Sequence, residues 1–108
     1  MDYIAELQNA IRHLHGCDSE HVETVPVVEA FLGKTLWQGD VEVFAIRGHP
    51  QAQRAYAWSH VYGENDKDRR FVAVLELPPV ESAETAVKAA IIAEIKDARR
   101  KQNQSRTP

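Results

Sequence analysis

Apolar residues recur every three to four positions at the start of the chain. Ile4, Leu7, Ile11 and Leu14, with Ala10 beside them, mark one face of a helix over Asp2 to His15. Asp2 suits the N-terminal cap, Glu6 the positive end, and Arg12, His13 and His15 the negative end. Gly16 supplies the left-handed residue that stops the helix. The pattern then changes to strand-like runs. Valine-rich His21 to Leu32 predicts a first strand, and Pro26, which cannot donate a ladder hydrogen bond, assigns it to a sheet edge. Gly33-Lys34 predicts a two-residue turn with glycine first. Thr35 to Arg47, Ala52 to Tyr62 and Arg70 to Leu77 predict three more strands. Gly48 to Gln51 separates the first two of these, and the charged run Gly63 to Arg69 the next two. Pro78-Pro79 ends the last strand, and Ser82 caps a second helix. Val87, Ala90, Ile91, Ile95 and Ala98 share a face of that helix.

This order predicts an α+β fold, a four-stranded antiparallel meander with an N-terminal and a C-terminal helix packed on one face. The turn at Gly33-Lys34 pairs Ala30 with Trp37 and Val28 with Gly39. The turn at Gly48 to Gln51 pairs Val43 with Tyr56. A third pairing sets Leu75 opposite Trp58. The helix-covered face then collects Val22, Val28, Trp37, Val41, Val43, Tyr56, Trp58, Phe71, Ala73 and Leu75. The other face carries Val25, Val27, Phe31, Leu36, Phe44, Ile46, Val72 and Val74 among the acids Glu29, Asp40, Glu42 and Glu76. Residues 1–101 make one domain, and 102–108, with no apolar residue, a flexible tail.

Composition narrows the function. A chain of 108 residues with 44% hydrophobic and 27% charged residues is an ordinary globular domain. The net charge of -3 disfavours a general nucleic-acid binder. Helix-strands-helix order resembles that of double-stranded-RNA-binding domains, but VESAET stands where those would carry a lysine cluster. The start MDYIAELQ has acids where a secretion signal has bases, and no apolar run reaches the ~18 residues of a membrane span. A single cysteine, Cys17, fits a reducing cytoplasm.

Four constellations are candidates for chemistry. Phe31, Leu36, Phe44 and Ile46 form an apolar patch on the uncovered face and point to association of two copies, sheet face to sheet face. The acids of that face suit general acid-base work or a hard cation, and equally a solvated surface. Trp37, Arg54, Tyr56, Trp58 and His60 share the helix-facing side, where a gap would make an aromatic ligand pocket with a cation and a titratable ring. Close packing of the same aromatics is the plainer account. His13, His15, Cys17 and His21 are metal-ligand types, but His13 and His15 leave a helix on different sides, so no metal is expected. No cofactor motif is present.

The run WQGDVEVFAIRGHPQAQRAYAWSH, followed by RRFVAVLELPPVESAETAVKAAI, resembles small uncharacterised bacterial proteins, including those carried on integron gene cassettes. The resemblance spans about residues 22 to 95. It implies a compact α+β domain and brings no activity and no functional residue. The sequence therefore points to a non-enzymatic homodimeric interaction module, with a small-molecule binding protein or minor enzyme as the alternative.

Overall fold

The computed structural model describes residues 2–61 and 69–93, apart from the side chains of Phe31, His60, Val61 and Arg69. Its elements are α1 (Tyr3–His15), β1 (Asp18–Phe31), β2 (Lys34–Arg47), β3 (Arg54–Val61), β4 (Arg69–Leu75) and α2 (83–93). The strands form one antiparallel sheet in the order β1-β2-β3-β4, an α+β meander. Ile95, Ala98, the turn residues from Gly63 to Asp68 and the tail 102–108 lie outside the described residues.

Both helices start, and α1 stops, where local chemistry directs. The Asp2 carboxylate accepts the Ile4 N–H at 3.4 Å, and Gly16, at φ 70, donates its N–H to the Arg12 carbonyl at 2.8 Å. At α2 the Ser82 hydroxyl accepts the Thr85 N–H at 3.2 Å, while Thr85 Oγ1 accepts the Ser82 and Glu81 N–H groups at 2.9 Å. That reciprocal pair satisfies donors the first turn leaves open.

The helices pack on opposite faces of the sheet, not on one. Leu7 and Ile11 of α1 bury against Phe44, Ile46, Ala55 and Ala57. Ala83, Ala86 and Val87 of α2 bury against Val41, Val43, Tyr56 and Trp58. The cause lies in β2, where four consecutive residues, Val41 to Phe44, are buried. Neighbours on a strand point to opposite faces, so such a run needs a layer on each side. The chain changes side after β4, between Leu77, which packs with the α1 layer, and Val80, which packs with the α2 layer.

Register follows the sequence reading at the centre and departs from it at both flanks. Val43 does oppose Tyr56. The first turn, however, is Leu32-Gly33, both at positive φ (52 and 77), and pairs Phe31 with Lys34. That shift of one residue, with bulges that leave Val22 and Leu36 as extra residues, sets Val27 opposite Gly39. A one-residue slip exchanges faces, so Val25 and Val27 lie with the tryptophans and Val28 lies on the α1 side. Likewise Leu75 opposes Ala55 and Val72 opposes Trp58, which moves Phe71, Ala73 and Leu75 to the α1 layer and brings Val72 and Val74 to the α2 layer.

Pro26 sits on β1, at the sheet edge, as its missing donor requires. Leu32 is an uncommon residue at φ 52, and its own side chain, 88% exposed, does nothing to offset that strain. Replacing Leu32 with asparagine, which tolerates the left-handed region, is expected to raise stability by about 1 kcal/mol. A urea midpoint at or below that of the wild type would contradict this account of the turn.

Candidate functional site

The residues expected to line an aromatic pocket are mostly core. Trp58 and Tyr56 are sealed beneath α2, and Trp37 leans on Trp58 with ring centroids 5.8 Å apart. The remaining space between Leu36, Trp37, Trp58, Val87 and Ile91 is about 120 Å³. Drug-sized ligands occupy pockets several times larger, about 300 Å³ and upwards. The Tyr56 hydroxyl donates to Glu76 Oε2 at 2.5 Å and reaches the Glu81 carbonyl at 3.3 Å. Burial, and then the neighbouring Glu76 carboxylate, push its pKa up to about 12. The hydroxyl therefore stays neutral and acts as a strut. Arg54 is exposed at the rim beside Glu23 and Glu81. His60 pairs through its backbone with Arg70.

The four association residues divide as well. Phe44 is wholly buried and Ile46 nearly so, both under α1, so neither is part of an open face. Leu36 remains 52% exposed. Phe31 is placed by its backbone at the end of the first hairpin. The acids separate in the same way. Asp40 and Glu42 share the α1 side, Glu29 opposes Trp37 on the other side, and Glu76 is engaged by Tyr56. His13, His15, Cys17 and His21 do not converge. His15 Nε2 donates to the Ala73 carbonyl, Cys17 is buried, and His21 turns to Glu42. Among the described residues no group of three or more metal-ligand side chains assembles.

A different site forms where β2 and β3 part. Their ladder covers only Glu42–Ala45 against Arg54–Ala57. Two residues further on, Asp40 would oppose Ser59. Instead Tyr3, in the first turn of α1, puts its hydroxyl there. It accepts the Ser59 N–H at 3.0 Å and the Ser59 hydroxyl at 3.2 Å. A ladder donor left open by the split is thereby satisfied, as a buried N–H must be. Beside the two strands lies an open cavity of about 680 Å³, lined among others by Tyr3, Leu36, Gln38, Asp40, Glu42 and Ser59.

Glu42 is the charged side chain sealed at the base of this gap, with 6% of its surface exposed. Its Oε1 accepts from His21 Nε2 at 2.9 Å and also from the Thr24 hydroxyl. Those bonds compensate the charge and tie β1 to β2. Past the gap, residues 34–41 of β2 pair with β1 alone among the described residues. The distal hairpin is thus a two-stranded arm. On its α1 side Val28 is 58% exposed, and Leu36, at the bulge, borders both the cavity and the space beneath α2.

Sequence reasoning selected Asp40, Glu42 and Leu36 but not Tyr3, Thr24 or Ser59. Tyr3 and Ser59 are 56 positions apart, and no local pattern links them. The one signal available was Glu42 itself, a carboxylate set inside the apolar run VEVFAI. Compared with protein-family models, curated proteins and solved structures, the chain shows no match. The resemblance noted for residues 22 to 95 finds no counterpart there. Among the described residues no helix is long and apolar enough to cross a membrane.

Proposed function

We propose that the protein is a non-enzymatic interaction module that pairs with a second copy of itself through the distal arm of the β1–β2 hairpin. The observation that carries this reading is the exposed aliphatic surface of the distal β1–β2 hairpin, which pairs with no third strand among the described residues. Among the described residues β1 and β2 each run for 14 residues, against 8 for β3 and 7 for β4. By the β2–β3 register Val61 falls beside Gln38, so about four residues of β2, roughly 13 Å, run past the last described residue of β3. An isolated two-stranded ribbon is marginal in water and gains from a covering layer. The arm offers exposed aliphatic surface, with Val28 on its α1 side and Leu36 at the bulge both more than half exposed and Leu32 at the tip. Two arms packed face to face about a two-fold axis would cover both sets at once. This keeps sheet-face association but moves it from Phe44 and Ile46, which α1 occupies, to the part of the face α1 does not reach. A free, buried thiol at Cys17 supports a cytoplasmic setting.

Light scattering at micromolar concentration is expected to give twice the chain mass. The pair Val28→Glu and Leu36→Glu should give a monomer while leaving the fold intact, because both side chains are exposed. A wild-type monomer at that concentration removes the reading.

A further inference from the structure

An open sheet has two edges, and this one protects them differently. β1 carries Pro26, which lacks a donor, and two bulges that break its line. β4 has neither. Its register against β3 runs unbroken from Arg69 to Leu75, and Phe71 to Leu75 is uncharged, without proline or glycine. A strand of that composition at an edge invites pairing with another.

The hydrogen bonds show which backbone groups of β4 face outward. Glu76 donates its N–H to the Arg54 carbonyl at 2.9 Å, so Glu76, Val74 and Val72 turn to β3. Along an antiparallel strand the direction alternates, so Phe71, Ala73 and Leu75 turn away from it. Two of those three outward carbonyls are occupied from within the chain. The Leu75 carbonyl accepts the Leu77 N–H at 2.9 Å. The Ala73 carbonyl, at the middle of the run, accepts from His15 Nε2 at 2.8 Å. His15 is the last residue of α1, 58 positions away in the chain.

β4 is also self-complementary about Ala73. A two-fold axis there sets Phe71 opposite Leu75, Val72 opposite Val74 and Arg70 opposite Glu76 of a second copy. The first two pairs match as apolar surfaces and the third in charge. Leu75 of the second copy would fall beside Phe71 on the α1 side. An open groove of about 510 Å³ lies there, lined by Ala10, Leu14 and Phe71 among others. Leu14 is 54% exposed in it. The central hydrogen bonds of such a pair would join the two Ala73 residues, each N–H to the other's carbonyl. That carbonyl is the one His15 holds.

We propose that His15 guards the β4 edge, and that the partner it excludes is β4 of a second copy. The ring caps the acceptor on which the pairing would centre, and it stands where the donor of the second strand would lie. This surface is separate from the distal arm, which belongs to β1 and β2 toward the other edge of the sheet.

The test is light scattering of the full chain carrying Val28→Glu and Leu36→Glu, so that the arm does not contribute. His15→Ala in this parent should double its mass at matched concentration. His15→Ser, too short to reach Ala73, should do the same, and circular dichroism shows which variants are folded. Adding Ala73→Pro to His15→Ala removes the outward N–H without touching a bond to β3, and should restore the parent's mass. A folded His15→Ala or His15→Ser chain with the parent's mass overturns the proposal. So does loss of fold in both, because the ring would then be a prop for α1 and not a shield. A folded double variant that still associates overturns it too, since the pairing would not run through β4.

Discussion

Replacing Phe44 with alanine is expected to cost about 3–5 kcal/mol, the range for a buried phenylalanine that leaves a cavity. Phe44 has no exposed surface and is the largest of the fully buried side chains. It sits between Leu7 and Ile11 of α1 and the small residues Ala55 and Ala57 of β3. Alanine neighbours cannot expand to fill the void, so the lost contacts are not recovered. The His21 ring, which meets Phe44 edge-on at 5.5 Å, would lose its support too. A domain of this size holds about 5–15 kcal/mol in all, so the variant should approach the unfolding threshold. Urea denaturation reads the difference directly. If both helices lay on the other face, Phe44 would be a surface residue and its truncation would change stability by less than about 0.5 kcal/mol. That small value would refute the two-layer cover.

Trp58→Ala should be comparably damaging, about 3–5 kcal/mol, by the same mechanism on the opposite face. Trp58 fills the space between β2, Val72 of β4 and the Ala86–Val87 stretch of α2, and it is the surface against which Trp37 leans. Its removal should free Trp37, so the near-ultraviolet circular dichroism of the paired indoles should collapse even where the fold survives in stabilising salt. Retention of that signal with a small change in urea midpoint would mean that the indole is not part of a packed layer. Together the two truncations ask whether each face carries its own core. Large losses at both positions are possible only if α1 and α2 stand on opposite sides.

The sequence made the elements legible because each is specified locally. The Leu7 and Ile11 stripe, the Asp2 cap and the left-handed Gly16 need only neighbours a few residues away. The central hairpin was legible for a similar reason: alternation in both strands and a short polar loop leave few registers, and Val43 opposite Tyr56 is the one that buries both. His49 then closes that loop, its Nδ1 accepting the N–H groups of Gln51 and Ala52 at 3.1 and 2.8 Å. The outer strands were not legible. Local turn chemistry favours glycine first, yet the chain accepts Leu32 at positive φ, because the slip by one residue buries Val25 and Val27 under α2. The β4 register is set by what Ala55 and Ala57 leave unfilled on the α1 side, which Phe71 and Leu75 occupy.

The candidate gap lies further from view. It exists because a tyrosine hydroxyl from α1 takes the place of a ladder partner at Ser59, so that β2 and β3 separate. By itself, then, the sequence determined a helix, four antiparallel strands and a helix, the edge position of Pro26 and the opposed parity of Phe44 and Trp58. Tertiary structure alone decided that each face has its own helix, which exposed aliphatics remain on the arm, and where the sheet opens around Glu42. The physical reason is that caps, turns and alternation act within a few residues. The side on which a helix settles is fixed by burial summed over strands far apart in the chain, and one residue of slip reverses it.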